Sequence, residues 1–123
     1  MKIERELMRG AGPTAVLQLL GQREMYGYEL VEAISRESDG VLAMGQSTLY
    51  PMLYNLEAKG FVASRVDDSG PRARKYYRLT LKGKERHSHD TEQWQALLRA
   101  MTSLGIIKPK DIATASQMTG AFA

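Results

Sequence analysis

Cysteine is absent from the chain, which removes two classes of protein at once. Neither a disulfide framework nor a cysteine-based zinc site is available, and a chain without thiols suits the reducing cytoplasm. Long hydrophobic runs are missing too. No segment approaches the roughly 18–20 apolar residues that a membrane span needs, so no membrane partner is expected. The start, Met1-Lys2-Ile3-Glu4-Arg5-Glu6, mixes charges of both signs and leads into no apolar signal-peptide core. Histidine is confined to His87 and His89; two residues apart, they point to different sides of a helix and make a poor metal pair. No Ser/His/Asp set, phosphate loop or carboxylate pair stands out. An enzyme is not expected, and neither is a cofactor.

The 123 residues, 43% of them hydrophobic, suffice for one compact domain with a single core. The formal net charge is +3, a mild bias whose location matters more than its size. Arg65, Arg72, Arg74, Lys75, Arg78, Lys82, Lys84 and Arg86 crowd one stretch, opposed there only by Asp67, Asp68 and Glu85. A local surplus of this kind makes an electrostatic footprint.

Along the chain, Ile3 to Arg9 suits a helical turn or two. Gly10-Ala11-Gly12-Pro13 then reads as an interruption, with Pro13 opening a new helix that carries Ala15, Val16, Leu19 and Leu20 and stops near Gly21. Tyr26-Gly27 reads as a turn. Leu30, Val31 and Ile34 define a second helix ending near Ser38-Asp39-Gly40, and the stretch "STLYPMLYNLEAKGF", residues 47–61, supplies a third. Three helices separated by turns make a helix-turn-helix core.

After Gly60 the period changes. Phe61–Val66 and Lys75–Thr80 are short and rich in β-branched or aromatic residues, and Asp67–Arg74 between them is turn-forming with a basic end. This is a hairpin pattern with a loop longer than two residues. Leu81 to about Gly105 contains no proline and regains helical spacing; at a rise of ~1.5 Å per residue it would run nearly 40 Å. Its first half is polar all round, and its second half gathers Trp94, Leu97, Leu98, Met101 and Leu104 on one stripe. Residues 106–123 suit a short helix or a frayed tail.

At ~100° per residue, Leu49, Met52, Leu53 and Leu56 share one sector of the third helix. Ser47, Pro51, Tyr54, Asn55 and Ala58 lie opposite, with Tyr50 on the flank. With Thr48 as N-cap, Pro51 stands at the third helical position, where it breaks no hydrogen bond. A polar, uncharged outer side is commonly plain solvated surface. A second reading is that it enters the major groove, which requires a slim helix bearing donors, acceptors and small apolar groups. Gln46, Ser47, Thr48, Tyr50 and Asn55 supply these, and the basic hairpin that follows would meet the phosphates with Arg72, Arg74 and Lys75. The stripe on the last helix has a parallel pair of readings. A lone tryptophan in such a stripe usually anchors a core or an interface. Each exposed leucine forgoes roughly 1.5–3 kcal/mol of burial, so a long helix reaching past a small core is expected to pair with a second copy.

Three ordered motifs, "YGYEL" at 26–30, "STLYPMLYNLEAKGFV" at 47–62 and "GPRARKYYRLTLKGKE" at 70–85, resemble the winged helix-turn-helix domain of the PadR family of bacterial transcription regulators. The resemblance covers roughly residues 8–86. It implies a fold that is mostly α with a small β-hairpin: a winged helix-turn-helix over 1–80, then a long C-terminal dimerisation helix and tail over 81–123. It further implies a homodimeric repressor of palindromic operator DNA, and the lack of a membrane span or signal core adds the expectation that it is cytoplasmic. Tyr26 and Gly27 match the family's turn before the second helix. Ser47, Thr48, Tyr50 and Pro51 match the start of the recognition helix, and Arg72, Arg74, Lys75 and Tyr76 match the wing. The expected DNA-contacting set is therefore Tyr26, Gln46, Ser47, Thr48, Tyr50, Pro51, Tyr54, Asn55, Arg72, Arg74 and Lys75. The expected dimer contacts are Trp94, Leu97, Leu98, Met101 and Leu104. In some multidrug-responsive relatives a tryptophan on this helix stands beside a ligand pore, so the resemblance implies the same place for Trp94, with a small aromatic effector as releasing signal. The rival expectation is a winged-helix module that binds another protein and reads no DNA.

Overall fold

The computed structural model describes residues 1–112, and the tail from 113 onward lies outside the described residues. The order of elements is α1 (Arg5–Gln22), β1 (Met25–Tyr26), α2 (Gly27–Glu37), α3 (Gln46–Ala58), β2 (Val62–Asp67), β3 (Arg74–Leu79) and α4 (Leu81–Ser103). The chain divides into two compact units, and the second begins at His89, within α4. The architecture is mostly helical with one small antiparallel sheet, as the sequence leads one to expect.

α1 corrects the expected interruption. Gly10 to Pro13 do not split it; Pro13 lies inside one helix. Having no N–H, Pro13 leaves the Arg9 carbonyl without its i+4 amide. Packing overrides that local loss. Met8, Gly12, Val16 and Leu20, spaced four apart, are all buried on one stripe that runs through the proline. Gly12 admits the thioether of Met52 from α3, whose Cε lies 2.7 Å from where a β-carbon would stand.

The first unit closes over Val16, Leu17, Leu20, Met25, Leu30, Ile34, Leu49, Leu53 and Val62, with Met44 and Tyr77 at its edge. No polar or charged residue is buried among the described residues. α3 is tied into this core by Leu49, Leu53 and Leu56, with Met52 packed against them, the sector expected from helical spacing. It ends in a turn that satisfies its last carbonyls: Phe61 N–H donates to the Leu56 carbonyl at 2.9 Å and Gly60 N–H to that of Glu57 at 2.9 Å. Gly60 has φ +80°, the left-handed conformation such an ending demands and glycine adopts without strain.

The sheet has the order β1-β3-β2. Asp67 pairs with Arg74 at the loop end of the hairpin and Val62 with Leu79 at the open end, so residues 68–73 form the loop. β1 is the correction here. Tyr26-Gly27 is no simple turn: Met25 and Tyr26 pair with Tyr77 and Tyr76, and Tyr26 is also the residue that caps α2. Its N–H donates to Glu29 Oε1 at 3.1 Å, half of a capping box.

α4 starts where Thr80 caps it. The Thr80 hydroxyl accepts from Gly83 N–H at 2.9 Å and donates to the Gly60 carbonyl at 2.6 Å, joining the end of α3 to the start of α4. Over its length α4 buries only Gly83. In the second unit Trp94, Leu97, Leu98 and Leu104 are exposed, Leu104 by 75%, and Met101 is half-buried. The helix ends with Gly105 N–H donating to Thr102 and Ile106 N–H to Met101. Residues 109–112 begin a further helical turn.

Candidate nucleic-acid interface

The leading end of α3 stands at solvent. Its N-cap is Gly45, not Thr48, and Gln46, Ser47 and Thr48 form the first helical turn. Pro51 is therefore the sixth helical residue. The expectation that it breaks no hydrogen bond is overturned, because the Ser47 carbonyl loses its i+4 amide. The helix forms regardless because Leu49 and Leu53 are fully buried on its other side.

Gln46, Ser47, Thr48, Pro51, Tyr54 and Asn55 are exposed, Tyr54 by 74%. No side chain caps the helix N-terminus and no acidic residue occupies its first turn, so its free amides and the positive end of its dipole stay open. Tyr50 differs from its neighbours. Although 43% exposed, its ring end abuts Gly27, the first residue of α2.

The hairpin separates its cations by side. Because Tyr77 is buried, residues paired or alternating with it, Ser64 and Lys75, face inward, while Arg65, Arg74, Tyr76 and Arg78 share the outer face with Tyr26. Lys75 lies 3.9 Å from Glu57 on α3, and the same carboxylate accepts a 2.5 Å hydrogen bond from the Ser64 hydroxyl. Lys75 thus belongs to the seam between wing and α3. On the outer face the Arg74 guanidinium lies over the Tyr26 ring at 4.7 Å, and that of Arg65 over Tyr76 at 4.9 Å. The two tyrosines meet edge to face at 5.4 Å. Arg72 alone of the expected three sits in the loop, exposed.

The sequence reading missed Glu24. It accepts from Arg65 Nε at 3.0 Å and Nη2 at 2.6 Å, a bidentate pair across 41 residues of chain. The Arg65 guanidinium holds the Glu24 carboxyl below its ordinary pKa and is itself raised by Glu24. Asp67, which accepts from Ser69 N–H and hydroxyl, is lowered by those bonds.

This arrangement is that of a known group. Residues 16–89 match the model of the transcriptional regulator PadR-like family, and a transcriptional regulator of Mycobacterium tuberculosis is 33% identical over 95 residues, 77% of this chain and 86% of its own. The chain belongs to the PadR-like family of transcriptional regulators. That is a family of regulators and not of enzymes. The crystal structure of a PadR family transcriptional regulator from Eggerthella lenta is similar at TM-score 0.71 with 35% identity, covering 80% of this chain and 85% of that one. Bacillus subtilis PadR in complex with operator DNA is similar at TM-score 0.58 with 29% identity, over 63% of this chain and 44% of that one. No described helix of this PadR-like chain is long and apolar enough to cross a membrane.

Proposed function

We propose that this PadR-like regulator is a cytoplasmic homodimeric repressor that binds a palindromic operator, with residues 1–80 as the DNA-binding part and 81–123 as the dimerisation part. The observation that carries the reading is the two-sidedness of α3. Its leucines are fully committed to the core, while Gln46, Ser47, Thr48, Tyr54 and Asn55 stand exposed on an uncharged outer side. That side enters the major groove, led by Gln46, Ser47 and Thr48 in the first turn. Tyr26 and Tyr50 flank it, and phosphate is met by Arg72 and Arg74, with Lys75 behind them.

The single buried residue of α4 supports the second half of the proposal. A 23-residue helix that buries only Gly83 leaves Leu97, Leu98 and Leu104 exposed, and the stripe Trp94, Leu97, Leu98, Met101 and Leu104 is covered by the same stripe of a second copy. Two-fold symmetry then sets two reading helices roughly 34–36 Å apart, one DNA turn. A flat aromatic effector beside Trp94 favours a dimer geometry in which that spacing is lost, and the operator is released.

Salt dependence tests the reading against its rival, a winged-helix module that binds another protein. The logarithm of the DNA association constant should fall linearly with log salt, by about 0.9 per phosphate neutralised. A salt-independent response, or no binding to duplexes in dilute buffer, supports the rival.

A further inference from the structure

The outer face of the sheet carries three arginines, Arg65, Arg74 and Arg78, and they are not equally available. Arg74 rests on a neutral ring and stands opposite Asp67 in the hairpin, whose charge it feels, with no carboxylate bonded to its guanidinium fork as Arg65 has. Arg65 rests on Tyr76 and in addition has both edges of a carboxylate aligned with its fork. The carboxylate is Glu24, in the short link between α1 and β1, whose charge also acts on Arg78. The other acid of this face, Asp67, is hydrogen-bonded by Ser69 in the loop and acts on Arg65 and Arg74 only through space. Glu24 is thus the acid that binds the Arg65 guanidinium directly, in the middle of the wing.

Position makes this more than surface decoration. Arg65 lies two residues from the loop end of the hairpin, since Asp67 pairs with Arg74 there, a separation of roughly 7 Å along the strand. A guanidinium so close to the loop that carries Arg72 is within a side chain's reach of the same phosphate backbone. A cation already paired with a carboxylate brings little net charge to a phosphate, so it displaces fewer of the counterions condensed on the DNA and adds less to sequence-independent affinity.

We infer that Glu24 is a specificity-determining residue of the PadR-like wing: by occupying the Arg65 guanidinium it withholds one cation from the DNA backbone, lowering affinity for arbitrary duplexes and leaving discrimination to α3. The inference rests on the DNA-binding reading above. Its cost is overall affinity; its benefit is the ratio of operator to random sequence.

The test is a double-mutant cycle on Glu24 and Arg65, read as duplex binding by the full chain at several salt concentrations, with a random-sequence duplex as probe and thermal melting in parallel. Glu24→Gln should bind random duplex more tightly and steepen the log–log salt slope by about 0.9, the release of one counterion. Arg65→Gln alone should leave the wild-type slope unchanged. In the Arg65→Gln background, Glu24→Gln should no longer steepen it. An equal steepening in both backgrounds would mean a general charge effect and would overturn the inference. So would a Glu24→Gln chain that melts earlier yet keeps the wild-type slope, which would make the pair purely structural. Failure of the wild type itself to bind at low salt is a separate result, and it removes the DNA-binding reading along with this one.

Discussion

The hydroxyl end of the Tyr50 ring occupies the space that a β-carbon on Gly27 would take. Tyr50 Cζ would lie 2.7 Å from that carbon, inside any ordinary contact. Gly27 opens α2 and Tyr50 lies on α3, so the two helices of the motif are keyed by one ring over one bare backbone. Gly27→Ala should therefore destabilise the first unit by roughly 1–3 kcal/mol through overpacking, measured by urea unfolding. Tyr50→Leu in the Gly27→Ala background should recover most of the loss. An alanine variant as stable as the wild type would show that the ring moves aside freely.

Gly83 presents a harder case. A β-carbon there would collide with the Phe61 carbonyl oxygen and approach Leu79 Cδ1 to 2.7 Å. A backbone oxygen cannot rotate away as a tyrosine ring can. Gly83→Ala should lower stability by more than Gly27→Ala does, beyond the roughly 1–3 kcal/mol of common overpacking, and Leu79→Ala should not rescue it. Comparing the melting of the single and double variants decides the matter.

Charge and readout separate by mutation. Arg72→Ala and Arg74→Ala should weaken binding to all duplexes about equally and reduce the salt slope by about 1 each. Ser47→Ala and Asn55→Ala should instead change preference among sequences, by ~1–3 kcal/mol where a bidentate base contact is lost. The reverse pattern would overturn these roles.

The Glu24–Arg65 pair also predicts a pH dependence. The folded chain holds the Glu24 carboxyl below its ordinary pKa, so the folded state binds this proton less readily than the unfolded one. Its stabilisation is present above the ordinary carboxylate pKa and is lost as pH falls through the lowered value. Arg65 is exposed and Glu24 only partly buried, so solvent screening keeps the effect small. Wild type should exceed Glu24→Gln in melting temperature near neutrality and converge with it in acid. A constant difference across that range would contradict the pairing.

Trp94 and its stripe make two separable predictions. Leu98→Glu should convert a dimer to monomer in sedimentation and weaken operator binding sharply, because a charge would stand in an apolar seam. Flat aromatic compounds should quench Trp94 fluorescence in the intact dimer, and an unchanged signal at high compound concentration would remove the effector from the account.

Much of this arrangement was legible in the sequence because it rests on periodicity. Leu49, Leu53 and Leu56 announce their buried side by spacing alone, and the change of period after Gly60 announces the hairpin to within a residue. What escaped has physical reasons. The two residues of β1 are too few to carry a pattern, and Tyr26 reads locally as a turn because it is also a helix cap. Pro13 looks like a break, since propensity knows nothing of the Met8–Gly12–Val16–Leu20 stripe packed across it. Thr48 resembles a better cap than Gly45, yet burial of Leu49 decides where the helix begins. The Glu24–Arg65 pair joins positions 41 residues apart, and only the register of β3 between β1 and β2 brings them together.

Selection of bound sequences from a random duplex pool by the full chain tests the central claim most directly. The account predicts enrichment of an inverted repeat whose half-sites are about 10–10.5 base pairs apart, centre to centre, or a multiple of that spacing. An unenriched pool, or a single half-site with no symmetry, would contradict it.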